Sequence, residues 1–479
     1  MNPKMKVKSY EQAKKEKEAM LNSKRKVIND ILTSAKNKPK FAKLLSYSFT
    51  SLDKMITPPE SDIRINAKLI IEAKGVSVLC TIGLKNIHNE ELCKQIAEII
   101  RKLIFLNDQI DQELALKFVE AKGHEAVIEF LLSKNKGPGS VPLIKCLNHL
   151  CSVPQLIIKL LNSGLAECIK IVNDVYSDDI QVISINIDTM KKVSNQKAGR
   201  EFLVKKGIVP SILQNVKKCS DSLEPTSVFN GLIVVDNLCR SDDGKKEVKD
   251  AGAPLIICDV LENFSERPKI VNKSAKIFGK IMTKTDLEKE LEKLKNCSSR
   301  LDNEDGEEIM ILGKDSSALV SNLMLVDELG KMVCLPDNFE MLVLLFYKLC
   351  KVDLSNKDPQ YIRIYLLFMK HFMTLFKRAF EYMPDILDKN TERGQKYVIL
   401  IDRINDCIKK NWQVTQTNVE KLEKEGDKKA EVEPLKNAFK SFFTSYMLLI
   451  KQNNERKTDE ELPIKKKINR LKCTLYFKS

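Results

Sequence analysis

The chain has 479 residues, few glycines (17) and prolines (16), and an ordinary apolar share of 43%. Such a composition favours helices and is poorly suited to loop-rich β structure. The net charge of +15 is unevenly placed, with about +9 in residues 1–45, +5 in 451–479 and only about +1 across the 405 residues between them. A near-neutral body with basic ends argues against a uniformly basic nucleic-acid surface and for tethers onto an acidic partner.

The N-terminal segment 1–60, "MNPKMKVKSYEQAKKEKEAM" onward, lacks the apolar core of a secretory signal, and its glutamates argue against a mitochondrial presequence. It reads as a basic helix with Lys24, Arg25 and Lys26 at its centre and an apolar side of Met20, Val27, Ile28 and Leu32. No stretch has the 18 or so apolar residues that a spanning helix needs, so no membrane role is expected.

From residue 61 to about 294 a pattern repeats. A short helix ends at glycine and an amphipathic stretch follows: "LIIEAKGVSVL" at Gly75, "FVEAKGHEAVIEFLL" at Gly123, "LLNSGLAECIKIV" at Gly164, "FLVKKGIVPSILQNV" at Gly207 and "VKDAGAPLIICDVL" at Gly252. The last four glycines are spaced by 41, 43 and 45 residues. Glycine ends a helix in the left-handed conformation at little steric cost, and Pro210 and Pro254 then suit a first helical turn. A third helix closes each unit near Asn107, Asn148, Lys192, Asn237 and Lys280, which lie 41, 44, 45 and 43 residues apart and keep the same register as the glycines.

These coupled periods resemble the armadillo-repeat family, with HEAT repeats the near alternative. The resemblance covers roughly residues 61–285 and implies an all-α, right-handed superhelical solenoid of three-helix repeats, with a helical C-terminal extension. It also implies that the third helices line a groove, where Asn107, Asn148, Lys192, Asn237 and Lys280 would bind an extended peptide or subunit of a protein partner. Import adaptors of this family carry a tryptophan four residues before each groove asparagine. Here those positions are Leu103, Ile144, Asp188, Ile233 and Lys276, and the chain's single tryptophan is Trp412. A nuclear-import type of transport adaptor is therefore only the alternative reading.

Residues 295–317, "KNCSSRLDNEDGEEIMILGKDSS", read as an acidic linker or loop. Residues 318–453 read as a helical region of degenerate repeats or a cap. Its aromatic stripe Tyr365, Phe368, Phe372 and Phe376 follows helical steps and is expected in a core, although Lys370, Lys377 and Arg378 interleave with it. The basic tail 454–479 carries Lys465, Lys466, Lys467 and Arg470, a cluster of nuclear-localisation type.

Reactive constellations are missing. "KGPGS" and "LGKDSS" lack phosphate-loop spacing, and "LDNEDGEE" puts Leu301 where a calcium loop needs a carboxylate. Cys146, His149 and Cys151 on one helix diverge around its axis and cannot converge on a tetrahedral ion. The 13 cysteines include no C-x-x-C and read as reduced core thiols of an intracellular protein. The expectation is a non-enzymatic scaffold without cofactor or metal, docking proteins and anchored by its basic ends to an acidic assembly. Tubulin or an axonemal complex is the expected acidic assembly, and cytoplasm, cytoskeleton or cilium the expected setting. A nucleic-acid-associated scaffold in the nucleus is the further alternative.

Overall fold

A computed structural model describes residues 3–58, 62–133, 137, 139–301, 306–354, 357–383, 406–407, 410–411, 413–420, 423 and 429–455. Trp412 and the basic cluster Lys465, Lys466, Lys467 and Arg470 lie outside the described residues. Packing divides the chain into two units, Met1–Ile281 and Met282–Ser479.

In the first unit, two long helices, α1 (Pro3–Asn37) and α2 (Ala42–Met55), precede five three-helix repeats. These are α3–α5 (Ile63–Glu72, Gly75–Lys85, Glu90–Lys102) and α6–α8 (Gln112–Glu120, Gly123–Ser133, Ser140–Leu150). Then come α9–α11 (Ile157–Asn162, Leu165–Val175, Ile180–Ser194), α12–α14 (Lys197–Lys205, Val209–Asp221, Pro225–Leu238) and α15–α17 (Asp242–Asp250, Ala253–Asn263, Pro268–Ile281). Helices of like rank stack on one another. The second helices run α1, α4, α7, α10, α13, α16, and the third helices run α2, α5, α8, α11, α14, α17. Helices α1 and α2 thus occupy second- and third-helix places and cover the first repeat. Ile28, Leu32 and Ala35 of α1 are buried, whereas Met20 and Val27 remain exposed, so the seated face is narrower than the sequence reading proposed.

The repeat boundaries follow from local chemistry. Asn89, Asp111, Asp179 and Ser241 each accept a bond from a backbone N–H of the helix they precede, satisfying donors that a helix start leaves open. Between first and second helices the chain turns through one left-handed residue. Gly164, Gly207 and Gly252 take it at φ +105°, +62° and +83°. In the first two repeats Lys74 and Lys122 hold that position instead, and Gly75 and Gly123 begin the second helix. Those two glycines answer to close packing: an added Cβ would lie 2.7 Å from the Ile70 carbonyl oxygen or 2.8 Å from the Phe118 ring.

The break between the first two repeats holds a small antiparallel hairpin, β1 (Phe105–Leu106) with β2 (Gln109–Ile110), turned by Asn107 and Asp108 at φ +50° and +60°. Asn107, expected near the end of a third helix, is therefore at an exposed hairpin tip. Helix α5 ends at Lys102, and Asn-Asp is well suited to the paired left-handed turn that follows.

The second unit, described by itself, begins with α18 (Lys284–Arg300) and α19 (Glu307–Leu323). The expected linker 295–317 is thus helical at 295–300 and 307–317. Ile309 and Met310 of α19 are buried despite the acidic residues before them, and Glu307 and Glu308 suit a helix N-terminus. The short α20 (Asp327–Val333), α21 (Pro336–Lys351) and the long α22 (Pro359–Tyr382) follow, and α22 packs on α19 and on α23 (Lys429–Glu455). The aromatic stripe is core: Tyr365, Phe368, Phe372 and Phe376 are buried, and Phe346 meets Phe372 and Phe376 at ring distances of 5.9 and 5.5 Å.

Candidate functional site

The third helices of the first unit form one layer, and their polar side chains reach to the neighbouring third helix. Lys192 on α11 donates to the Asn148 side-chain oxygen (2.7 Å) and backbone oxygen (3.2 Å) on α8, and pairs with Asp188 (2.8 Å). The Asn148 amide donates to the Asp188 carboxylate and the Thr189 hydroxyl, both at 3.0 Å. Two repeats later, Lys280 on α17 reaches the Asp236 backbone oxygen on α14 at 3.0 Å and also its carboxylate. Lys273 and Lys276 join that carboxylate at 3.1 and 3.5 Å. Lysines here satisfy carbonyls that a helix C-terminus leaves open, and their charge suits the dipole there. Asn237 is buried and donates to Ser194 Oγ and Asn195 Oδ1, each at 3.2 Å.

Of the five residues expected to line a groove, Asn148, Lys192, Asn237 and Lys280 are therefore brought together in one layer, but each is bonded to an adjacent repeat. Asn107 is outside the layer. The residues four positions earlier are not slots: Leu103 and Ile144 are buried, Asp188 and Lys276 are the ion-pair partners just described, and Ile233 is half-buried. Asp236 and Asp188 were missed from the sequence, although a signal exists. Both Asn148 to Lys192 and Asp236 to Lys280 are 44 residues apart, one repeat plus a small offset.

Burial alone would raise the Asp236 carboxyl. The hydrogen bonds from Lys280 and Lys273 outweigh it and hold the group below the ordinary carboxylate range. Asp188 behaves likewise, with Lys192 and Asn148 as its donors. Both carboxylates are thus ionised and occupied by lysine. Helices α8, α11, α14 and α17 carry Lys145, Lys191, Lys192, Lys269, Lys273, Lys276 and Lys280 against only Asp188 and Asp236. Lys145, Lys269 and Lys276 are exposed, and Lys269, Lys273, Lys276 and Lys280 recur at helical spacing along one side of α17. The layer has a net positive charge that the near-neutral body does not share.

His149 also belongs to α8. It stacks on Phe105 of the hairpin with ring centroids 4.0 Å apart, and Arg101 lies over the same Phe105 ring. Burial, reinforced by Lys192, Arg101 and Lys145, pushes its imidazole down to about 4. The unfolded chain would take up this proton near the ordinary value of 6.5. The neutral imidazole's contribution is therefore complete above that value and is lost as pH falls from about 6.5 to 4. The loss should be at most about 3 kcal/mol, discounted because the ring is partly exposed. Unfolding titrations across this window should show a slope that His149→Gln reduces, the remainder including His124, whose imidazole burial also pushes below the ordinary value.

Among the described residues no group of three or more His, Cys, Asp or Glu could hold a metal ion. No single described helix is long and apolar enough to cross a membrane. Cys146 and Cys151 are buried, with thiols pushed up to about 12 by burial, which suits packing and not metal ligation. Lys24 and Arg25 of α1 pair with Asp62 (2.5 Å) and Glu72 (3.6 Å), so part of the N-terminal charge is spent within the unit, and Lys26 is exposed.

No family profile and no curated protein matches this sequence. Among solved structures, an engineered protein is 16% identical over 87% of this chain and 99% of its own, at a TM-score of 0.42. A designed armadillo repeat protein is 16% identical over 53% of this chain and 99% of its own, at 0.40. SYS-1 is 12% identical over 87% of this chain and 86% of its own, at 0.30. These scores are too low to carry an argument, and the assignment rests on the chain's own geometry. Five successive units of short first helix, left-handed turn, second helix and third helix, stacked rank on rank, make residues 63–281 of the first unit an all-α solenoid of armadillo-like repeats.

Proposed function

We propose that the first unit is a non-enzymatic protein-interaction scaffold whose third-helix layer receives an acidic, extended segment of a partner protein. The surplus of lysine over carboxylate on α8, α11, α14 and α17 carries this reading. Asp188 and Asp236 are already engaged by lysines of the layer, so exposed Lys145 and Lys269 are open to anions from outside, and an acidic peptide lying along the layer supplies them. Asn148 and Asn237, bonded within the layer, hold the lysine-bearing helices in place and are not the peptide clamps.

Under this reading the basic N-terminal helix adds a second attachment. Lys14, Lys15 and Lys17 are exposed on α1 and, unlike Lys24 and Arg25, stand well away from its junction with the first repeat. Glutamate-rich tubulin tails have the matching chemistry. A microtubule-based structure such as a cilium, with the protein in the cytoplasm or cytoskeleton, is the assembly we propose for it.

The test measures full-length protein against a fluorescent glutamate-rich tubulin tail peptide, with duplex DNA as competitor, across a salt series. Lys145→Glu with Lys269→Glu changes two exposed positions that lie outside the Asp188 and Asp236 ion-pair clusters. The double variant should weaken peptide binding at least about tenfold, with unchanged thermal unfolding, and binding should fall with added salt. Equal affinity in both proteins would remove the third-helix layer as the binding face. Preference for DNA would replace the cytoskeletal reading with the nuclear one.

A further inference from the structure

The second unit contains two cysteines in surroundings unlike those of the others. Cys146, Cys151, Cys168, Cys219, Cys239 and Cys334 are packed in apolar cores that push their thiols up to about 12. Cys407 is buried instead among hydrogen-bond donors. Asn411 Nδ2 donates to its sulfur at 3.3 Å, and the Tyr365 hydroxyl stands 3.7 Å from it. Cys350 follows Leu349 on the last turn of α21 and lies close enough to the same sulfur to lower its pKa. The Tyr365 hydroxyl also donates to the Leu349 carbonyl oxygen at 3.1 Å, which ties the end of α21 to this cluster.

The polar surroundings continue along the described residues that follow Cys407. Asn411 and Thr415 follow Cys407 at steps of four and are nearly fully buried, and Asn411 Oδ1 and Thr415 Oγ1 have no hydrogen-bond partner among the described residues. A polar pocket of this kind stabilises a thiolate, because each donor bonds the charged sulfur more strongly than the neutral one. The Cys407 thiol is accordingly held below its ordinary value, first by Cys350, against burial and with help from Tyr365 and Asn411. Cys350, on the last turn of α21, is only half-buried and gives a small oxidant access.

We propose that Cys350 and Cys407 form a redox-modification site, a dithiol that a peroxide oxidises to an intramolecular disulfide. The Cys350 thiol passes its proton to the Cys407 thiolate as its sulfur attacks one peroxide oxygen, the O–O bond breaks, and a sulfenic acid forms with release of hydroxide, which takes up the proton from Cys407 as water. The Cys407 thiolate then attacks the Cys350 sulfur, the S–O bond breaks, and a second hydroxide leaves and is protonated to water. Two thiols lose two electrons and two protons, and the peroxide is reduced to two waters. The resulting bond would staple α21 to the stretch 406–420 and close the chain between them. A reversible disulfide of this type is the form expected of a regulatory thiol pair in a reducing compartment. The inference stands on the second unit alone and is independent of the partner-binding reading.

The test treats reduced full-length protein with graded hydrogen peroxide, blocks remaining thiols by alkylation, and maps the products by peptide mass spectrometry. The expected first product is the Cys350–Cys407 linked peptide, abolished by dithiothreitol and formed while the protein is still folded by circular dichroism. Cys350→Ser should remove the link without creating another. Asn411→Ala, which deletes the amide that donates to the Cys407 sulfur at 3.3 Å, should slow linkage by about tenfold through loss of that donor. The proposal fails if both cysteines stay alkylatable in folded protein at doses that oxidise the other thiols. It fails equally if either joins a different cysteine, or if linkage appears only after unfolding.

Discussion

Gly244→Ala should lower the unfolding free energy by about 3 kcal/mol, although alanine is the better helix former by about 1 kcal/mol. Gly244 lies in the first turn of α15, where an added Cβ would stand 2.1 Å from the Leu238 carbonyl oxygen at the end of α14. The obstacle is backbone and cannot rotate away, so α15 must move from the third helix it follows. That movement also strains the Ser241 cap, whose hydroxyl accepts from the Gly244 N–H at 3.2 Å. Gly199, 45 residues earlier, makes the same approach to the Val193 carbonyl, and its alanine variant should behave alike. Gly252→Ala is the comparison. It meets nothing within 4 Å and carries only the left-handed backbone penalty, so its loss should be nearer about 1 kcal/mol. Denaturant titrations of the three variants would test this ranking. If Gly244→Ala matched or exceeded the parent, helices α14 and α15 would not meet as described.

Asn173→Ala should destabilise the first unit by about 2 to 3 kcal/mol. Its side-chain oxygen, buried on α10, accepts from Asn186 Nδ2 at 2.5 Å and Asn215 Nδ2 at 2.7 Å, joining α10 to its own third helix and to the next second helix. Alanine leaves the Asn215 donors buried without this acceptor, and the cost is that of a desolvated amide. Asn186 keeps its bond to the Ile169 carbonyl oxygen at 3.1 Å, so the loss stays below that of two stranded donors. Because the three amides form one network, Asn173→Ala combined with Asn215→Ala should cost less than the sum of the two single changes. Additive losses in that double-mutant cycle would show that the bonds do not act as a network.

The length of the repeat, its register and the places of its five turns were legible in the sequence, because they depend on local chemistry. Apolar periodicity selects the buried side of each helix, and a glycine-rich junction permits a sharp turn. The aromatic stripe of α22 was legible for the same reason: Tyr365, Phe368, Phe372 and Phe376 can share one face only if that face is covered. The stretch 295–317 was misread because its acidic composition suggested a loop, whereas Ile309 and Met310 have a buried face that α19 serves. Tertiary structure alone decided the rest. Lys74 and Lys122, not the following glycines, take the left-handed residue in the first two repeats, since Gly75 and Gly123 are needed where Ile70 and Phe118 press closest. Asn107 left the third-helix series because α5 ends early and a hairpin fills the gap. Asn148 and Asn237 turned out to be bonded to neighbouring repeats, and Asp236 to hold three lysines. Local pattern can place a polar side chain on a helix, but whether its hydrogen bonds are spent within the fold or left for a partner depends on which helix packs beside it.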